Sequence, residues 1–141
     1  MFRGRTSFVS IEFPLKRFHT KYGVLYRPMI PVFLQRGKKQ KRYSFILDSG
    51  AEFTMVPRRI APSVGLDIDE FTTLTVEGIE GRGIDGVLAP LAIRIADERL
   101  TVRCFFANKD DAPFLLGRAD LFNCFNILFD AKKKQVVFNR V

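Results

Sequence analysis

The chain has 141 residues, 47% of them hydrophobic, and a formal net charge of +8 at pH 7. That length suits one domain with its own core. No run of eighteen apolar residues argues for a transmembrane helix, and Met1-Phe2-Arg3-Gly4-Arg5 lacks the apolar centre of a signal peptide, so the expected location is cytoplasmic, with no membrane contact.

His19 is the only histidine, which removes Ser-His and Cys-His hydrolase mechanisms within one chain. Cys104 and Cys124 are the only cysteines, too few with His19 for a zinc site. Both sit among apolar neighbours, as expected of buried free thiols in a reducing compartment. The charge is uneven. Residues 1–42 carry eleven Lys/Arg against Glu12 alone, a net +10, and the remainder carry twelve against fourteen acids, a net −2. A basic third of this kind is open to nucleic-acid binding, but no RNP, zinc-finger or phosphate-loop motif accompanies it. Solvated turns plus an N-terminal extension are the favoured reading.

In chain order, residues 6–13 alternate apolar and polar and read as a strand, although Val9 blurs the period. Residues 22–35 are rich in aromatic and β-branched side chains, and Pro28 and Pro31 suggest an edge strand or a bend. Gly37-Lys38-Lys39-Gln40-Lys41-Arg42 reads as a hairpin turn with charged shoulders, which discourage edge-to-edge pairing. It leads to a strand over residues 43–47. A short helix is expected over residues 58–66, ending near Gly65. Strands over 71–76 and 87–95 flank a segment with four glycines, residues 78–86. Further strands are expected over 100–106 and 114–116, then a helix over 118–125. Two last strands, 127–129 and 135–138, flank a Lys-rich turn. Many short strands with one or two short helices predict a mainly β, closed, barrel-like domain.

The strand over 43–47 delivers Asp48 to a tight turn, Asp48-Ser49-Gly50-Ala51, and the chain then re-enters apolar structure at Phe53-Thr54-Met55-Val56. An unpaired carboxylate is costly at the end of a buried strand, and Gly50 opens turn geometries closed to other residues. Sixty-nine residues after Asp48, a second apolar run, Pro113-Phe114-Leu115-Leu116, ends at Gly117-Arg118. Together these segments resemble the retropepsin-like aspartic proteases, the single-domain, homodimeric branch of the pepsin superfamily. That family carries an Asp-Thr/Ser-Gly-Ala turn and later an apolar-apolar-Gly element, often followed by Arg. Thr54 matches a small hydroxyl residue frequent after the family turn.

The resemblance implies a retropepsin-type domain over residues 21–141, with residues 1–20 as a basic extension or first strand. It implies an aspartic endopeptidase acting on peptide or protein substrates without metal or organic cofactor. Such chemistry needs two close carboxylates sharing one proton. The chain holds one such turn. Asp120, read on a helix, and Asp130, before the Lys-rich turn, do not reproduce it. A homodimer would supply the second Asp48. On the same resemblance, Ser49 hydrogen-bonds across the dyad and Gly50 shapes it. Ala51, Glu52, Gly81, Arg82 and Gly83 contact substrate, the last three from a glycine-rich flap. Glu52 is expected to pair with Arg118, and the terminal strands to pair across the dimer. The alternative is a noncatalytic peptide-binding or assembly domain of the same fold.

Overall fold

The computed structural model describes residues 9–77 and 83–141. Twelve strands are described: β1 Ser10–Pro14, β2 Lys16–Thr20, β3 Gly23–Arg27, β4 Met29–Arg36, β5 Lys39–Leu47, β6 Thr54–Pro57, β7 Thr73–Glu77, β8 Gly83–Ile95, β9 Glu98–Ala107, β10 Leu115–Leu116, β11 Phe125–Asp130 and β12 Gln135–Arg140. Two four-residue helices, α1 Ile60–Ser63 and α2 Leu121–Cys124, and a 3₁₀ turn at Ile68–Glu70 complete the described elements.

The main sheet runs β4-β5-β10-β6-β9-β8-β7. A further pairing of β4 with β8, at Phe33–Arg94 and Leu34–Ile93, turns the sheet back on itself. Alternation along each strand fills the interior. Ile30, Val32 and Leu34 point inward from β4, Phe45 and Leu47 from β5, Leu91, Ile93 and Ile95 from β8, and Val102, Cys104 and Phe106 from β9. Burying each large apolar side chain of this kind is worth about 1.5–3 kcal/mol. β5 meets the two-residue β10 in parallel, and β6 meets β9 in parallel. These crossings bring the ends of β5, β6 and β10 to one place.

A second sheet, β1-β12-β11, joins the first described strand to the last two. The terminal strands therefore pair within the chain, Ile11 opposite Phe138, rather than being left free to pair only with a second copy. Phe13 packs edge-on to Phe138, which in turn meets Phe125.

The stretch 22–35 is not one strand. It divides at Pro28: β3 belongs to a separate two-stranded ribbon with β2, and β4 to the main sheet. Pro31 is tolerated inside β4 because its second neighbour, β8, reaches only Phe33 and Leu34. The helix expected over 58–66 shortens to α1, and Gly65 follows it with φ +79°, a left-handed conformation suited to glycine. The helix expected over 118–125 shortens to α2. Asp120 lies before it at φ 69° instead of within it, held there by Arg103.

Candidate active site

Asp48 follows the last residue of β5. Its backbone N–H donates to the Leu116 carbonyl at 2.9 Å, and the preceding Leu47 N–H donates to the Pro28 carbonyl, also at 2.9 Å. Both neighbours of the strand end are thus fixed before the turn begins. The turn closes as Ala51 N–H donates to the Asp48 carbonyl at 3.1 Å. Asp48 Oδ1 accepts from the Gly50 N–H at 2.9 Å, so the carboxylate is oriented by its own turn. Asp48 and Ala51 are half-buried, while Ser49, Gly50 and Glu52 are exposed.

The Gly117 loop grips this turn from behind. Arg118 N–H donates to the Ala51 carbonyl at 3.0 Å, and Ala119 N–H to the Glu52 carbonyl at 2.8 Å. Gly117 N–H donates to Thr54 Oγ1 at 3.2 Å, and Thr54 is the one fully buried polar residue among those described. A side chain at Gly117 would collide with the Phe53 backbone, so this approach requires glycine.

Arg118 Nη1 donates to the Ser49 carbonyl at 2.8 Å. The expected Glu52–Arg118 ion pair is not formed. The guanidinium is drawn to an exposed turn carbonyl, and Glu52 instead adds a weak favourable field at Arg103. Arg103 holds Asp120 through three hydrogen bonds: its backbone N–H donates to Oδ2 at 2.7 Å, Nε to Oδ2 at 3.0 Å and Nη2 to Oδ1 at 3.3 Å. The side-chain hydrogen bond from Arg103 lowers the Asp120 pKa, partial burial opposing it. This pair ties the Gly117 loop to β9. Sequence reading missed it, because nothing at seventeen residues' separation marks a partner.

A cavity of about 660 Å³ opens beside Asp48. Gly50, Ala51 and Glu52 line it with Asp48, and Phe53, Met55, Leu74, Val76, Ile84 and Phe105 give it an apolar wall. Leu74 and Val76 come from β7 and Ile84 from β8, which pair from Thr73–Val87 to Glu77–Gly83. Thr75 Oγ1 donates to Asp85 Oδ1 at 2.6 Å and staples these arms. Gly83 begins β8 and is exposed. Gly81 and Arg82 lie outside the described residues. Among the described residues, no group of metal-ligating side chains is assembled and no helix is long and apolar enough to cross a membrane.

No protein-family model and no curated protein matches the chain. Solved structures do. A retropepsin-like aspartic protease from Rickettsia conorii superposes with a TM-score of 0.66 over 99% of this chain and 98% of its own, at 17% identity. The fold is retropepsin-like. EIAV protease in complex with the inhibitor HBY-793 also matches, with a TM-score of 0.49 at 18% identity, covering 65% of this chain and 82% of that one. Within the retropepsin-like fold, the Asp48 turn and the Gly117 loop are the two elements that the sequence singles out, and they lie in direct backbone contact.

Proposed function

We propose that the chain is an aspartic endopeptidase that works as a homodimer, with one Asp48 from each subunit forming the catalytic pair. The observation that carries this reading is the Asp48 carboxylate itself, oriented by the Gly50 N–H at the mouth of an apolar cavity. An extended peptide would lie along that cavity, with its backbone near Ala51 and Glu52 and its apolar side chains against Phe53, Leu74 and Ile84. The β7–β8 arms would cover it and exclude water, and Gly81, Arg82 and Gly83 would contact the peptide.

Two carboxylates at close range cannot both ionise, so the pair would hold one proton. The ionised member removes a proton from water as the water oxygen attacks the scissile carbonyl. The protonated member donates to the carbonyl oxygen. Collapse of the tetrahedral intermediate breaks the C–N bond as a proton passes to the leaving amine. Ser49 and Gly50 would shape the pair, and Arg118 would fix the Ser49 carbonyl beneath it. No metal or organic cofactor enters these steps.

Asp48→Asn tests the proposal. The amide keeps the shape but cannot act as the base, so turnover of an unstructured peptide library should fall by at least about 10³-fold, within the range for lost acid–base catalysis. Sedimentation of wild type should show a concentration-dependent dimer, with an interface of at least ~1,200 Å². Equal turnover by the Asn variant, or turnover by a strict monomer, defeats the reading. A wild-type dimer that binds peptides without cleaving them favours the noncatalytic peptide-binding alternative.

A further inference from the structure

A second cavity, about 720 Å³ and larger than the one at Asp48, lies between the β4–β5 hairpin and α1. The alternation that sends Phe45 and Leu47 of β5 into the core sends Tyr43, Lys41 and Lys39 to the same face, beyond the core's edge. Leu34, Tyr43 and Val64 give the cavity an apolar floor, and Arg36, Lys39 and Lys41 ring it with cations. Arg36 Nη1 donates to the Pro62 carbonyl at 2.9 Å, holding α1 in place as the far wall.

The strand beside this cavity has a free edge. β5 pairs with β4 from Lys39 to Ile46, but β10 reaches it only at Ile46 and Leu47. Among the described residues, 39–44 have no strand on their second side. Residues 31–47 contain five Lys/Arg and no acid, and none of Lys38, Lys39, Lys41 or Arg42 takes part in a described ion pair. Such an edge repels a second copy of itself and attracts a strand of opposite charge.

We infer that the free edge of β5 is a docking site for an acidic, extended polypeptide segment, which adds to the sheet as a strand. Strand addition supplies main-chain hydrogen bonds, and alternate side chains supply specificity. Every second side chain of the guest would dip into the cavity toward Lys39 and Lys41. The others would face the opposite surface, where Arg42 and Ser44 line a smaller recess. A single-stranded nucleic acid fits this place less well. The one aromatic lining the cavity, Tyr43, is stacked on Phe114 at 5.1 Å and carries the Lys41 ammonium 5.3 Å from its centroid. No ring is presented for a base. The site does not involve Asp48, so this inference does not rest on the proposed activity.

The test is fluorescence anisotropy of the full chain with a labelled eight-residue peptide alternating glutamate and valine. Binding should weaken with added salt. The double variant Lys39→Glu, Lys41→Glu should weaken it by about tenfold or more while thermal unfolding stays level, because both side chains are exposed. The same peptide N-methylated at every backbone nitrogen should lose binding to wild type, since neither of its edges can donate to a ladder. Undiminished binding of the methylated peptide, or undiminished binding by the double variant, overturns the proposal. So does an oligonucleotide of equal charge that binds more tightly and displaces the peptide.

Discussion

At Gly50 an added Cβ would meet only the Asp48 carboxylate, 3.2 Å from Oδ1, whereas at Gly117 it would run into the main chain of Phe53. The two glycines sit in turns that touch, yet one turn is open to solvent and the other has no spare room. The Asp48 turn is held mainly from outside: by the Leu116 carbonyl on Asp48, by Arg118 on Ser49 and Ala51, and by Ala119 on Glu52. The Gly117 turn does the clamping, through tight packing and one buried hydroxyl. A half-buried carboxylate can thus keep a fixed direction without the cost that full burial would carry.

The largest effect that would break this division is expected from Gly117→Ala. Its methyl group must displace a peptide rather than a flexible side chain, so the cost should approach the upper end for overpacking, about 3 kcal/mol. At about 3–4 °C per kcal/mol for a chain of this size, the midpoint of thermal unfolding should drop by roughly 10 °C. Gly50→Ala should cost much less stability. Calorimetry on both variants checks the comparison, and equal losses would remove it.

Thr54→Val comes next. It keeps the volume but strands the Gly117 N–H in a buried place, at a cost of about 2 kcal/mol. Thr54→Ser retains the acceptor and should recover part of that loss. Denaturant midpoints of the three proteins would separate the hydroxyl's part from that of the methyl. If Val and Ser are equally stable, the hydrogen bond does not hold the clamp.

Asp120→Asn should have a smaller effect, and one that depends on pH. The folded pKa of Asp120 is depressed by Arg103. Its contribution is therefore fully present above the unfolded pKa of a carboxyl and is lost as pH falls through the lower, folded value. The variant should be less stable than wild type at neutral pH, and the gap should close in acid below the ordinary carboxyl range. Unfolding followed across pH checks this. A gap that stays constant into acid would mean that the ion pair adds nothing beyond the neutral hydrogen bonds.

Much of this arrangement can be read from sequence where local signals are dense. The apolar run before Asp48 and the one before Gly117 each mark a strand ending at a turn, and β5 and β10 end there. Gly37 and the Lys-rich segment 131–134 both mark hairpins that form, the second with Asp130 Oδ1 accepting from Lys133 N–H at 3.0 Å. Helix lengths were harder to read, because α1 and α2 are single turns whose limits are set by neighbours. Gly65 ends one, and Asp120, pulled by Arg103, begins the other. The β2–β3 ribbon was hidden because its apolar residues, Val24, Leu25 and Tyr26, are exposed, so hydrophobicity misreported burial. Arg118 takes a backbone partner although residue type favours a carboxylate, because the turn holds the Ser49 carbonyl 2.8 Å from its guanidinium.

Cys104 offers the finest probe of the clamp. It lies opposite Thr54 in the β6–β9 pairing and is fully buried. Burial pushes its thiol pKa well above the ordinary range, a backbone hydrogen bond from Val56 opposing this only in part. The thiolate is the reactive form, so alkylation of Cys104 must wait for local opening of β6 from β9. Cys124 is half-buried and should react first. In a Cys124→Ala background, the remaining thiol should label far more slowly than a free cysteine at the same pH. Gly117→Ala should accelerate that labelling, because Phe53, the residue it displaces, immediately precedes Thr54 at the start of β6. Gly50→Ala should leave the rate nearly unchanged. Equal acceleration by both alanines would show that the open turn, and not only the packed one, holds this corner of the sheet.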